Sequence, residues 1–244
     1  MTSPDKPPSG PALFGREEPL AAIAGLLLRA AGSRGGALLL RGVAGIGKTA
    51  LLRQAVVLAE EQGFEVRQAT GVPIESSLPF GALSTLLAPD RRDQSLEQRA
   101  PALAAALGLG SMPDPPTVMA AASEALEVLS VRGRERPILL VLDDAQWADQ
   151  STATIMGHIA RHVVADPLAV LVAWRDTPEL PALPSAEAAL TDFGDVRASV
   201  YDGVEAIELS PLTLAASRNA LVAEGSRPAR GLSRTHRRAP RGGR

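Results

Sequence analysis

Apolar positions along the chain follow two periods. Leu20, Ile23, Ala24, Leu27 and Leu28 recur at three- and four-residue spacing, which predicts an amphipathic helix ended by Gly35-Gly36. Ala37-Leu38-Leu39-Leu40 is a continuous apolar run too short for a helix, so it reads as a strand covered on both faces. A glycine-rich loop over 42–47 opens a helix from Lys48 to about Gln62, and Gly63 supplies a left-handed cap. Phe64 to Ala69 is a second strand, and 79–88 a short helix with Leu83, Leu86 and Leu87 on one face. Residues 89–116, rich in Pro, Gly and charge, are the least readable and hold one alanine-rich helix. Thr117 is placed to cap a helix whose apolar face is Val118, Ala121, Ala122, Ala125 and Leu129. Ile138 to Leu142 is the clearest strand, with Pro137 tolerated at its start. A helix over about 151–164, a strand from Leu168 to Trp174 and a weaker strand from Val204 to Leu209 follow.

Strands alternating with helices require right-handed crossovers. The expectation is an α/β, three-layer sandwich around a mostly parallel five-stranded sheet. In such sheets a ligand sits beyond the carboxyl ends of the strands.

Composition narrows the chemistry. The 244 residues are 45% hydrophobic and 21% charged, enough for a sizeable core. The absence of cysteine excludes disulfides, thiolate metal sites and a thiol nucleophile. Three histidines and 3% aromatics argue against a metal cage or a base-stacking platform. Forty-two alanines, and arginine at 23 of 25 basic positions, are what a GC-rich bacterial genome encodes. The net charge is −2, but residues 227–244 carry seven arginines and no acid, so the preceding body stands at −9. Residues 1–12 read as a disordered arm with no signal-peptide pattern, and no apolar run approaches the roughly 20 residues of a membrane span, so a soluble cytoplasmic protein is expected.

Gly42-Val43-Ala44-Gly45-Ile46-Gly47-Lys48-Thr49 fits G-x-x-x-x-G-K-[ST] without mismatch, between a strand and a helix. Glycines let backbone N–H groups approach phosphate oxygens, and the helix start presents its unpaired N–H groups and positive dipole end to the anion. The candidate nucleotide-binding set is therefore Gly42, Ala44, Gly45, Ile46, Gly47, Lys48, Thr49 and Ala50. Lys48 adds a full charge at the β/γ-phosphates, and the Thr49 hydroxyl suits Mg²⁺. About 95 residues past the loop, the strand Ile138–Leu142 runs into Asp143-Asp144. Asp143 is the second candidate Mg²⁺ ligand, and Asp144 the candidate to orient or deprotonate an attacking water. Arg175, where the next strand ends, could reach the γ-phosphate; its alternative is a surface pairing with Asp176 or Glu179.

These motifs resemble the STAND class of AAA+-related P-loop ATPases, and more narrowly the large ATP-binding regulators of the LuxR type. The likeness rests on Gly42–Thr49, on Leu140-Val141-Leu142-Asp143-Asp144-Ala145-Gln146-Trp147-Ala148-Asp149, on Leu13-Phe14-Gly15-Arg16-Glu17, and on Gly71-Val72-Pro73 through Leu78-Pro79-Phe80-Gly81-Ala82-Leu83. The resemblance implies a P-loop NTPase fold over 13–210, with Lys48 and Thr49 as the Walker A pair, Asp143 and Asp144 as the Walker B pair, Arg175 as the sensor arginine, and Arg16 near the adenine. It implies ATP and Mg²⁺ used as a slowly hydrolysed switch, self-association in the ATP state, and transcriptional output. DNA would be contacted through a C-terminal helix-turn-helix that cannot be placed in this sequence. Residues 211–225 read as the start of a helical lid and 226–244 as a solvated basic tail, which suggests a truncated or frame-shifted product. Two rival readings remain: a stand-alone ATPase or kinase, and a nucleotide-binding module that never turns over. His158 and His162 are four apart on a helix, but no third ligand accompanies them, so a surface pair is the expectation. Trp147 and Trp174 are read as packing residues.

Overall fold

The computed structural model describes residues 15–112, 115–175 and 204–211. The expected N-terminal arm, the lid helix and the basic tail lie outside these residues.

Five strands form one sheet: β1 (Gly36–Gly42), β2 (Glu65–Thr70), β3 (Ile138–Asp143), β4 (Leu168–Arg175) and β5 (Val204–Glu208). Their order is β2-β3-β4-β1-β5, and every neighbouring pair is parallel. The central strands are continuous apolar runs because both faces are covered. Leu39, Leu140, Leu142, Val170 and Val172 face one core, and Leu38, Leu40, Leu139, Val141 and Leu171 face the other. Helices α1 (Glu17–Ala31) and α2 (Lys48–Glu61) cover the second core through Ile23, Leu26, Leu27, Leu51 and Ala55. The first core lies under α3 (Gly81–Leu86), α4 (Leu96–Arg99), α5 (Pro101–Ala106), α6 (Val118–Glu135) and α7 (Gln150–His162).

Thr117 caps α6, its side chain accepting from the Ala120 N–H at 3.1 Å. One local reading changes and two gain detail. The expected helix over 79–88 is shortened to α3 because Phe80 adopts a left-handed backbone, φ 63°. The alanine-rich helix expected within 89–116 is α5, and a 3₁₀ turn and the short α4 precede it. α7 begins at Gln150, within one residue of the expected start, with Asp149 as its N-cap.

The short pieces are tied to the sheet edge by charge. Arg67 on β2 forms a buried ion pair with Asp90, and Arg132 of α6 reaches Asp93 at 3.0 Å. Arg67 also binds Glu65 at 2.7 Å. Among the described residues no helix is long and apolar enough to cross a membrane.

Candidate functional site

The strand order decides which loops meet. β4 lies between β1 and β3, with Gly42 in register with Arg175. The loop after β1, the tip of β4 and the acidic end of β3 therefore open side by side at the carboxyl ends of the strands. Neighbouring strands are about 4.8 Å apart, so the ends of β1 and β3 are separated by one strand's width on either side of Arg175.

The loop between β1 and α2 folds into a cradle. Gly45 has φ 73° and Gly47 φ 104°, conformations that side chains with a Cβ resist. Gly47 stands at the N-cap of α2 with no side-chain cap, leaving the first N–H groups of the helix aimed outward. Lys48 folds over the loop, its Nζ donating to the carbonyls of Gly42 at 2.7 Å and Val43 at 3.0 Å. The Thr49 hydroxyl donates to Asp143 Oδ2 at 2.8 Å, across 94 residues of sequence. A cleft of about 290 Å³ is lined by Ala44, Gly45, Gly47, Lys48, Thr49, Ala50, Asp144 and Arg175.

Asp144 occupies a left-handed backbone conformation, φ 46° and ψ 45°. Its N–H donates to Asp143 Oδ1 at 2.8 Å, and its Oδ1 accepts from Gln146 Nε2 at 2.9 Å. Gln146 Oε1 in turn accepts from the backbone N–H of Arg175 at 3.0 Å. Among the described residues, the Arg175 Nε is a buried side-chain nitrogen left without a hydrogen-bond partner. Its two rival partners, Asp176 and Glu179, lie outside the described residues.

The remaining candidates fall beside the cleft. Ile46 packs toward the α1–α2 core, and its carbonyl accepts from Arg16 at 2.7 Å. Arg16 is 7% exposed, and burial draws its guanidinium below its ordinary pKa; arginine keeps its charge through such a shift. Arg16 also borders a second hollow of about 500 Å³, walled by Gly15, Pro19, Ala22, Glu208 and Leu209. Of the candidate set, the structure thus gathers Ala44–Ala50 without Ile46, together with Asp144 and Arg175, on one cleft. Asp143 joins through Thr49, Gly42 through the lysine, and Arg16 and Ile46 form a neighbouring wall.

A divalent cation has a fitting donor set here. Thr49 and Asp143 converge from α2 and β3 and offer only oxygen, which hard cations take. His158 and His162 stack at 4.3 Å between centroids, and burial together with the neighbouring His162 and Arg161 holds His158 below its usual range. Among the described residues no group of three metal-capable side chains forms. Trp174 packs against the first core.

Two residues of the sequence motifs, one beside the cleft and one supporting the elements behind it, carry no role that sequence reasoning assigns. Gln146 joins Asp144 to Arg175. Asp149 accepts from Thr152 N–H at 2.9 Å, from the Thr152 hydroxyl at 2.6 Å and from Phe80 N–H at 2.8 Å. Asp149 has a readable signal, an N-cap position before the α7 pattern. Gln146 has none, because its partners are set by tertiary contact.

A family profile described as AAA ATPase domain matches residues 12–172. Among solved structures, Cdc6p from Pyrobaculum aerophilum superposes with TM-score 0.53 at 19% identity, covering 91% of this chain and 51% of its own. The Aeropyrum pernix Orc1 protein, solved in complex with DNA, gives 0.52 at 17% identity, covering 88% and 50%. Drosophila ORC, bound to DNA, gives 0.50 at 16% identity, covering 86% and 46%. The chain therefore spans about half the length of the structures it resembles. No curated protein matches it significantly.

Proposed function

The chain belongs to the AAA ATPase domain family, and from that membership we propose that it binds Mg-ATP at the cleft between β1, β3 and β4 and hydrolyses it slowly as a conformational switch. The observation that carries this reading is the convergence of Lys48, Thr49, Asp143, Asp144 and Arg175, whose Nε has no partner among the described residues, at the carboxyl ends of the inner strands. A cleft of this size, with a helix N-terminus on one wall and a cation on the other, suits a chain of phosphates.

Each residue then has a task. The N–H groups of 44–49 hold phosphate oxygens, and Lys48 exchanges its carbonyl partners for the β/γ-phosphates. Thr49 and Asp143 would hold Mg²⁺, which when bound neutralises charge on the phosphate oxygens. Asp144 aligns the attacking water and accepts its proton. Arg175 meets the γ-phosphate, so its nitrogen gains a partner that none of the described residues supplies. Arg16 and the hollow beside it face the nucleoside end. Catalysis of this kind is positioning and electrostatics.

The finer reading is a STAND-type module of a cytoplasmic, LuxR-like bacterial regulator that self-associates in the ATP state. Four separated motifs support it. Its ATPase part would be 13–210 and its lid would start at 211–225. DNA contact would belong to a helix-turn-helix part that such regulators carry beyond the ATPase core.

Two variants test the core of the proposal by calorimetry and phosphate release. Lys48→Ala should weaken Mg-ATP binding about 10- to 100-fold, the worth of one charge-assisted contact. Asp144→Asn should keep affinity within about threefold while turnover falls about 100-fold or more. Wild-type protein that binds Mg-ATP and releases no phosphate would turn the conclusion to a binding module. Folded protein that binds none would sink it.

A further inference from the structure

Gln146 is 8% exposed and sits in the 3₁₀ turn Ala145–Trp147, immediately after Asp144 and beside the tip of β4. Its amide spans two groups of opposite requirement. An ionised carboxylate only accepts, and a backbone N–H only donates. The amide nitrogen must therefore face Asp144 and the amide oxygen Arg175, as the 2.9 and 3.0 Å contacts have it. A carboxylate could not donate to Asp144, a lysine could not accept from Arg175, and an apolar side chain could do neither.

The turn it fixes is otherwise strained. Left-handed backbone costs a non-glycine residue about 1–2 kcal/mol, and Asp144 adopts it with φ 46°. Gly71, at the end of β2, presses on the same turn: a Cβ there would lie 2.3 Å from the Asp144 carbonyl oxygen. The main chain of Asp144 is thus held from below, while its carboxylate is held by Gln146. The carboxylate's aim depends on where the end of β4 stands.

We propose that Gln146 is a positioning residue that couples Asp144 to Arg175: its buried amide makes the orientation of the water-aligning carboxylate conditional on the position of the β4 tip that meets the γ-phosphate. This rests on the roles given above to Asp144 and Arg175. Displacement of the Arg175 backbone on phosphate contact releases the amide oxygen. The amide then turns, and the Asp144 carboxylate loses its donor and becomes available to water. With the γ-phosphate gone, the clamp reforms.

A nucleotide-free test reads the coupling by amide hydrogen exchange at Arg175. Asp144→Gly removes the carboxylate and tolerates the left-handed backbone. In the Gln146 background it should speed Arg175 exchange about fivefold, and in a Gln146→Met background less than twofold. Equal factors in both backgrounds, or no acceleration in the first, overturn the proposal. A second variant guards against loss of packing. Gln146→Glu keeps an acceptor for Arg175 but sets a like charge against Asp144. It should raise kcat severalfold with KM for ATP within about twofold, because Asp144 then lacks the donor that holds it away from water; unchanged or lowered kcat in an active wild type overturns the coupling. Should wild type bind no nucleotide, the functional reading falls, and the exchange cycle still decides whether the relay exists.

Discussion

A single Cβ separates two kinds of glycine in this chain. Gly63 has φ 84° and nothing within 4 Å of the place a methyl would occupy, so Gly63→Ala meets only backbone strain. Gly71 has no such backbone demand, but a methyl there would meet the Asp144 carbonyl at 2.3 Å and the Ala148 nitrogen at 2.9 Å. Neither atom can rotate away, so the turn carrying Asp144 must move. Gly63→Ala should cost about 1 kcal/mol of stability in a urea titration and leave ATP turnover unchanged. Gly71→Ala should cost about 1–3 kcal/mol, as overpacking does. It should also reduce turnover about tenfold or more, since an ångström of misplacement at a reacting group is expensive. Equal activity of the two variants would show that the Asp144 turn tolerates displacement.

Elements differ in how they are held, and that governs both a prediction and what could be read in advance. Asp149 does more than start α7: it accepts from Thr152 at two atoms and from Phe80 N–H, so it also anchors the segment leading into α3. Asp149→Ala should therefore cost about 3 kcal/mol, above the roughly 0.5–2 of an ordinary N-cap, because buried donors lose their acceptor; chemical denaturation measures it. A loss below about 1 kcal/mol would mean water replaces the carboxylate. The core strands were legible because parallel, doubly covered strands appear as unbroken apolar runs, and Leu38–Leu40 and Ile138–Leu142 are such runs. The phosphate loop was legible because its chemistry demands fixed residues at fixed spacing. Helix α4 and the bounds of α5 were not, since pieces of four and six residues are too short to display a helical period. The left-handed Phe80 was invisible for another reason: its N–H is held by Asp149, 69 residues away, a contact the local sequence does not encode. Gln146 follows the same logic, with its acceptor oxygen committed to Arg175, 29 residues on.

At the scale of the whole molecule, one sheet divides two hydrophobic cores, and the cleft lies at the ends of the strands they share. Leu139 and Val141 of β3 face one core while Leu140 and Leu142 face the other, and β1 and β4 alternate in the same way. A ligand spanning the ends of β1, β3 and β4 therefore braces strands that belong to both cores at once. Binding to the native state alone stabilises it by about 2.7 kcal/mol when ligand exceeds Kd a hundredfold. For a domain of this size each kcal/mol raises Tm by about 2–4 °C, so Mg-ATP should lift the transition by about 5–11 °C. Because both cores share the braced strands, the shift should appear in one cooperative transition rather than in half of a split one. Withdrawing the cation with a chelator should remove much of the shift, since Thr49 and Asp143 would then face the phosphates without the charge that reconciles them, and Asp143 would repel. Lys48→Ala, by weakening binding about 10- to 100-fold, should remove about half to four-fifths of it at the same ligand concentration. A melt that splits on adding Mg-ATP, with one half unmoved, would show that the nucleotide braces only the α1–α2 side of the sheet.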